Sequence, residues 1–218
     1  MSKGITAVIP TRAGSERVKK KNVKSFANTN LLQIKINTMK KLKSQGLIEN
    51  ILVNTNCKDS KIIATNNNVT VIDRDEYLAS SNCPITDYWK EVLTNGVKTK
   101  NSMLCQCTSP LISLDSYKKC INEYNQKSLM TIEYLKDYIW KNNKALNYDY
   151  PNHPKSQDLS KEFFKITFGI VIIDKEEYLQ YNNLVTPNTK FVDIPRNESI
   201  DIDDEIDFKL AESLYNEN

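Results

Sequence analysis

The chain alternates short apolar runs with longer segments whose apolar residues recur at helical spacing. The first apolar run spans residues 5–9 and is bounded by Pro10, which is typical of a buried strand. Strands that alternate with helices indicate βαβ units and a largely parallel sheet with helices on its faces. A length of 218 residues favours one domain over 1–218. We therefore predict a single three-layer α/β domain.

The apolar patterns place the individual elements. The predicted strands cover residues 5–9, 49–54, 69–72, 103–107, 129–133, 163–174 and 192–194. The predicted helices cover residues 31–47, 57–66, 84–95, 115–126 and 203–215. Residues 136–160 have no regular pattern and form too long a segment for an ordinary connection. We expect this excursion to serve an interface or a substrate.

A basic loop follows the first predicted strand. It contains Gly14, two arginines (Arg12 and Arg17) and three consecutive lysines at 19–21. Ligands of open α/β sheets bind outside the carboxyl ends of the strands, and backbone N–H groups and cations in such a loop can hold phosphate oxygens. The same composition also fits a solvated basic loop. The residues alone leave both interpretations open.

The loop and its surroundings carry a family resemblance. Residues 10–22, PTRAGSERVKKKN, resemble the P-A-R-x-G-S-x-x-x-x-x-K-N signature of the acylneuraminate cytidylyltransferases, the CMP-sialic acid synthetases and their relatives. Glu16 replaces a lysine that is typical of the family. The resemblance implies a nucleotide-binding domain. Its implied nucleotide contacts here are Arg12, Ala13, Gly14, Ser15, Lys21 and Asn22.

Three further segments resemble parts of the same family. Residues 74–81 are similar to R-P-x-x-L-A-x-D, which implies nucleotide contacts from Ser81 and Asn82. Residues 104–111 are similar to L-L-Q-P-T-S-P-L, and residues 154–159 with 168–172 to R-Q-D-L-P and N-G-A-I-Y-I. The last two segments imply contacts with the acidic sugar from Gln106, Thr108, Ser109, Lys155 and Gln157.

The C-terminal segment resembles the family's closing D-I-D-x-x-x-D-x-x-x-A-E. Asp201 and Asp203 are two residues apart, so an extended backbone points both carboxylates to one side. Such a pair suits Mg²⁺, although Asp203 could instead cap the last helix. With the N-terminal motif present, we predict that both bind Mg²⁺. The predicted catalytic residues are then Arg12, Lys21, Asp201 and Asp203.

The reaction implied by the resemblance is nucleotidyl transfer, in which CTP and an acidic sugar give a CMP-sugar and pyrophosphate. Departures from the family pattern at Glu16, Ile112, Ser156 and Phe168 keep two alternatives open. One is a cytidylyltransferase for another acceptor, such as a Kdo-like or legionaminic-like acid or a phosphonate. The other is a degenerate nucleotide-binding module without turnover.

Composition limits the partners and the compartment. The net charge of the chain is only +3, which is too small to indicate binding of nucleic acid. No apolar run approaches the ~20 residues of a membrane span. The five cysteines form no disulfide-framework pattern, and no signal peptide is apparent, so we expect a cytoplasmic protein. The resemblance also implies a homodimer, with its interface at residues 136–160.

Overall fold

The computed structural model describes residues 4–217, and a seven-stranded sheet lies at its centre. Its strands, numbered along the chain, are β1 (Ile5–Pro10), β4 (Asn50–Thr55), β5 (Thr70–Asp73), β6 (Asn101–Cys105), β7 (Ser128–Tyr134), β10 (Phe164–Asp174) and β11 (Thr189–Asp193). Two small hairpins pair β2 (Ser25–Phe26) with β3 (Thr29–Asn30) and β8 (Trp140–Lys141) with β9 (Lys144–Ala145).

The strand order in the large sheet is β11-β7-β10-β6-β1-β4-β5. The pairs β1–β4, β1–β6, β4–β5 and β7–β11 are parallel. β10 is antiparallel to both of its neighbours, β6 and β7. The prediction of a mostly parallel α/β sheet is therefore confirmed.

Seven α-helices occur in the described part of the chain. They are α1 (Leu31–Ser44), α2 (Lys58–Asn66), α3 (Glu76–Ala79), α4 (Ile85–Glu91), α5 (Leu114–Glu123), α6 (Lys175–Tyr181) and α7 (Glu205–Asn216). A π-helical turn extends α4 over Val92–Gly96, and 3₁₀ turns cover Ser156–Asp158 and Arg196–Ser199. The sequence pattern did not predict α3 or α6, because both are short and follow directly on polar residues.

Two hydrophobic cores lie on opposite faces of the sheet, which gives the three predicted layers. Ala7 and Ile9 of β1 contribute to the core formed with α1, α5 and α7, whereas Val8 between them contributes to the other. The second core includes Trp89 of α4 and Tyr178 of α6. This alternation follows from the two-residue period of a strand, and burial on both faces explains the continuous apolar runs.

Gly169 of β10 lies against the buried side chain of Ile112. A Cβ atom built on Gly169 would lie 2.5 Å from Cδ1 of Ile112, which is closer than packed carbon atoms approach. Ile112 is 5% exposed and has little room to move. The departure from the family pattern at position 112 therefore lies in the core, beside a glycine that accommodates it.

We predict that Gly169→Ala lowers the free energy of unfolding by about 1–3 kcal/mol, because it overpacks this contact. Adding Ile112→Val removes Cδ1, so the double variant is expected to regain most of the loss. Urea unfolding of the two single variants and the double variant measures the coupling. Strictly additive effects would contradict the contact.

Candidate active site

A cavity of about 450 Å³ opens at the carboxyl ends of the central parallel strands. Its walls come from the loop after β1, the segments after β5 and β6, and α4. This is the edge at which open α/β sheets bind ligands. The predicted site residues that line it are Arg12, Ser15, Lys21, Asn22, Gln106 and Thr108. The geometry thus brings the N-terminal motif and the segment after β6 together.

The charge of this cavity favours an anion. Four cationic side chains line it, from Arg12, Arg17, Lys21 and Arg74, against one carboxylate, that of Glu16. Guanidinium and ammonium groups converging on a concave site are the usual means of holding phosphate groups. The sequence motif had identified Arg12 and Lys21, whereas the structure adds Arg17 and Arg74.

One wall of the same cavity is aromatic. The guanidinium carbon of Arg74 lies 3.6 Å from the ring centroid of Tyr88, and the rings of Tyr88 and Trp89 are 4.6 Å apart. The Tyr88 hydroxyl donates a hydrogen bond to Oδ1 of Asn54 at 2.9 Å, which fixes the ring against the sheet. Burial raises the pKa of Tyr88 above its usual value, so the hydroxyl stays protonated. The two rings are tilted by 52° to each other and are only 2% and 3% exposed, so the group of this wall on which a nucleobase could stack is Arg74, which lies over Tyr88.

Backbone contacts hold the two predicted catalytic cations in place. Nη1 of Arg12 donates to the carbonyl oxygen of Ala79 at 2.8 Å, which ties the first loop to the segment after β5. Nζ of Lys21 donates to the carbonyl oxygen of Ile202 at 2.6 Å. Partial burial lowers the pKa of Lys21, and the nearby carboxylates of Asp203 and Asp201 oppose that shift. A bound anion would oppose the lowering of the pKa in the same way as these carboxylates.

The two predicted metal ligands flank Ile202 and are both exposed. Oδ1 of Asp203 pairs with Nη2 of Arg17 at 2.7 Å. The N-cap of α7 is Asp204, not Asp203. The Asp204 carboxylate accepts a hydrogen bond from the backbone N–H of Asp207. The Asp207 carboxylate in turn accepts one from the backbone N–H of Asp203. The alternative role of Asp203 as the N-cap is therefore wrong, and its carboxylate faces Arg17 instead.

The donor chemistry of Asp201 and Asp203 fits Mg²⁺. This ion typically takes one or two protein carboxylates and fills its other positions with water and substrate phosphates. Within residues 4–217, no group of three or more His, Cys, Asp or Glu side chains is arranged to hold a metal. A two-carboxylate site that depends on phosphate for completion is consistent with that finding.

A second cavity of about 410 Å³ adjoins the first. Ile85, Trp89 and Gln106 border both cavities, and Asp201 borders the second. Most other side chains of its wall are apolar and come from β10, α6 and the segment after α6. The two cavities therefore form a polar compartment and an apolar compartment, with Gln106 between them.

The other predicted site residues lie elsewhere. Ala13 and Gly14 line a smaller cavity of about 150 Å³ on the far side of Arg12, and Gly14 has a φ of 85°. Ser109 is buried beneath the site. The exposed residues Ser81, Asn82, Lys155 and Gln157 border neither of the two larger cavities.

A buried lysine supports the floor of the site. Lys35 of α1 is 2% exposed, and its Nζ donates to the carbonyl oxygen of Ser109 and to the hydroxyl of Tyr117, both at 2.8 Å. Burial lowers the pKa of Lys35. The carbonyl oxygen of the preceding Thr108 accepts from the backbone N–H of Ile202 at 2.8 Å. Lys35 thus anchors the turn to which the carboxylate segment is bonded.

We expect Lys35→Met to lower the free energy of unfolding by about 1–3 kcal/mol, because two buried oxygen atoms lose their donor. The control is Lys40→Met on the exposed side of α1, where a change within about 0.5 kcal/mol is expected. Chemical denaturation of both variants makes the comparison. Equal effects at the two positions would refute the anchoring role.

The fold is that of the nucleotidyltransferases. A CMP:2-keto-3-deoxy-manno-octonic acid synthetase complexed with CTP shares it: that structure aligns with a TM-score of 0.68 at 13% identity, covering 98% of each chain. A 4-diphosphocytidyl-2C-methyl-D-erythritol synthase from Anaerococcus prevotii aligns with a TM-score of 0.67 at 18% identity, over 97% of this chain and 96% of that one.

The profile of the family described as cytidylyltransferase matches residues 6–197, and the chain belongs to this family. It is 23% identical to the pseudaminic acid cytidylyltransferase of Campylobacter jejuni, over 97% of this chain and 96% of that protein. It is 24% identical to the N-acylneuraminate cytidylyltransferase of Escherichia coli O18:K1:H7, over 95% of this chain and 51% of that protein. The expected family is confirmed.

Proposed function

We propose that this protein transfers the cytidylyl group of CTP to the anomeric hydroxyl of an acidic nine-carbon sugar. The anomeric oxygen forms a bond to the α-phosphorus, the bond from that phosphorus to the β-phosphate bridging oxygen breaks, and pyrophosphate leaves. The hydroxyl proton passes to solvent or to a nearby base. One observation carries the proposal: the cationic first cavity and the second cavity lie side by side and share Gln106.

The residues of the first cavity meet the needs of this reaction. Negative charge shifts towards the leaving pyrophosphate, and preorganised cations stabilise such charge in the transition state. Arg12 and Lys21 are already fixed by backbone carbonyls, so little reorganisation is needed to receive phosphate groups. We place the cytosine ring against Arg74, which the buried Tyr88 ring supports from behind.

We also propose that Asp201 and Asp203 hold Mg²⁺ with the nucleotide. When bound, the ion neutralises phosphate charge. Arg17 pairs with Asp203 and also lines the first cavity, so its guanidinium would be available to phosphate groups if Asp203 held the ion. The two relatives of known activity, which are named for pseudaminic acid and N-acylneuraminate, support an acidic nine-carbon acceptor.

An assay of pyrophosphate release tests the nucleotide assignment. It compares the four common ribonucleoside triphosphates, each with N-acetylneuraminic or pseudaminic acid. We expect release with CTP, and a CMP-sugar of the corresponding mass. Equal rates with ATP or GTP would contradict the assignment of the aromatic wall to cytosine.

We further propose a homodimer that forms through residues 136–160. Tyr138, Trp140 and Tyr150 are 42%, 45% and 65% exposed, yet their rings pack within one cluster that includes His153. Exposed aromatic clusters are typical of interfaces between protein chains. Light scattering at several concentrations tests the dimer, and a monomer at all of them would refute it.

The proposed compartment is the cytoplasm, without a membrane or nucleic-acid partner. Across residues 4–217, no helix has both the length and the apolar character needed to cross a membrane. All five cysteines are free thiols, which supports a reducing compartment. Within the basic loop, Lys20 is paired with Asp59, which reduces the positive charge offered to a polyanion.

A further inference from the structure

Glu133 lies near the end of β7, at the same edge of the sheet as the first cavity. β10 is antiparallel to both β6 and β7, so β6 and β7 run in the same direction and their carboxyl ends share one edge. Glu133 is the last but one residue of β7, and its side chain is only 14% exposed. It borders neither of the two larger cavities, so its largely buried carboxylate serves something other than direct contact with a ligand there.

Three side chains surround this carboxylate. Nζ of Lys165, on the neighbouring strand β10, lies 2.8 Å from Oε2 of Glu133, and Nε of Arg196 lies 3.6 Å from Oε1. The hydroxyl of Ser199 donates a hydrogen bond to Oε2. Partial burial opposes ionisation, but these three partners outweigh it and hold the pKa of Glu133 below its usual value. The ionised carboxylate therefore bonds the 3₁₀ turn Arg196–Ser199 to the sheet.

A second glutamate holds the same turn from another side. Glu198 is buried, and its Oε2 accepts a hydrogen bond from the backbone N–H of Ser113 at 3.1 Å. Ser113 is the N-cap of α5. The turn is thus bonded to β7 through one glutamate and to the start of α5 through the other.

The turn leads directly into the segment that carries the predicted metal ligands. Asp201 is the second residue after Ser199, and the backbone N–H of Ile202 donates to the carbonyl oxygen of Thr108 at 2.8 Å. Asp201 therefore lies between two anchors, one at Glu133 and one at Thr108. Ordering a loose segment when a ligand binds costs conformational entropy, whereas a segment fixed in advance avoids that cost.

We propose that Glu133 is a positioning residue for the metal site. By bonding to Ser199 it fixes the turn that leads to Asp201, without touching the metal or the nucleotide. This inference rests on the proposed function, in which Asp201 holds Mg²⁺. Loss of Glu133 would then weaken the binding of the metal and leave the binding of the nucleotide itself unchanged.

A titration of the full-length protein with Mn²⁺, in the presence of CTP and without a sugar, tests the proposal in the absence of turnover. Electron paramagnetic resonance measures the unbound Mn²⁺, and a titration of CTP alone gives the correction for the nucleotide. We expect Glu133→Ala to weaken Mn²⁺ binding by about tenfold, and to raise the Mg²⁺ concentration needed for half-maximal rate by a similar factor. The affinity for CTP without metal, measured by calorimetry, should not change.

Three further variants separate positioning from a general loss of stability. Glu133→Gln keeps an acceptor for the Ser199 hydroxyl and should recover most of the loss. In an Asp201→Asn background, Glu133→Ala should have little further effect, because both changes act through the same ligand. The matched control is Glu123→Ala, which removes an ion pair with Lys190 between α5 and β11 and should leave metal binding unchanged.

Unchanged Mn²⁺ binding in Glu133→Ala would overturn the proposal, as would an equal loss in Glu123→Ala or a glutamine variant no better than alanine. A full further loss in the Asp201→Asn background, or no Mn²⁺ binding by the wild type with CTP, would also overturn it. If Glu133→Ala does not fold, Ser199→Ala removes the same hydrogen bond and should show the same weakening. Absence of pyrophosphate release by the wild type would instead refute the proposed function, and the Mn²⁺ titration would still decide the role of Glu133.

Discussion

Replacing Lys21 with methionine is expected to lower kcat/KM for CTP by about 100-fold, with the fold unchanged. Its Nζ lies between the carbonyl oxygen of Ile202 and the cationic cavity, and methionine retains the length of the side chain without its charge. The loss corresponds to roughly 3 kcal/mol of transition-state stabilisation. Pyrophosphate release at varied CTP gives kcat and KM separately.

Lys19→Met is the matched control for this experiment. Lys19 belongs to the same run of three lysines but is exposed and lines neither of the two larger cavities. We expect its kcat/KM to stay within about twofold of the wild type, since exposed charges act weakly through water. Equal losses in the two variants would show that the basic loop acts only through its total charge.

Replacing Asp203 with asparagine is also expected to lower kcat/KM by about 100-fold, and to raise the Mg²⁺ concentration needed for half-maximal rate. Asparagine keeps the shape of the side chain but removes the charge that a hard cation requires. The exposed ion pair with Arg17 contributes little to stability, so the unfolding midpoint should hardly change. A magnesium titration of the rate measures both effects.

Asp204→Asn provides the control, because Asp204 caps α7 and asparagine is an equally good N-cap. Both the rate and the magnesium dependence should match the wild type. If the Asp203 variant kept wild-type activity at the same Mg²⁺ requirement, the proposal that Asp203 binds the metal would be contradicted. The family profile ends at residue 197, so this experiment tests a segment that the profile does not cover.

The sequence predicts the elements that depend on local pattern. The apolar run of β1 and the helical period of α1 were assigned within a few residues of their observed bounds. The reversal of β10 was not predicted, because strand direction depends on the path of the connection and leaves no mark on an apolar run. The strand predicted over residues 103–107 ends at Cys105 in the structure. Cys107 was included because it is apolar, but it is buried in the turn that follows the strand.

The sequence identified site residues where they share one loop or one motif. Arg12, Ser15 and Lys21 line the cavity because the loop after β1 carries them together. Tyr88 and Trp89 were missed, since their helical spacing in α4 is equally typical of core residues. Phe168 was noted only as a departure from a family pattern. Its left-handed backbone conformation, with a φ of 53°, leaves no mark on the sequence pattern.

Pyrophosphate release by the wild-type protein tests the central claim most directly. The assay combines CTP, Mg²⁺ and one acidic nine-carbon sugar, and each component is omitted in turn. The structure predicts release only when CTP and the sugar are both present, with a strong dependence on Mg²⁺. Tight binding of CTP without release, across N-acetylneuraminic and pseudaminic acids, would contradict transfer to such a sugar.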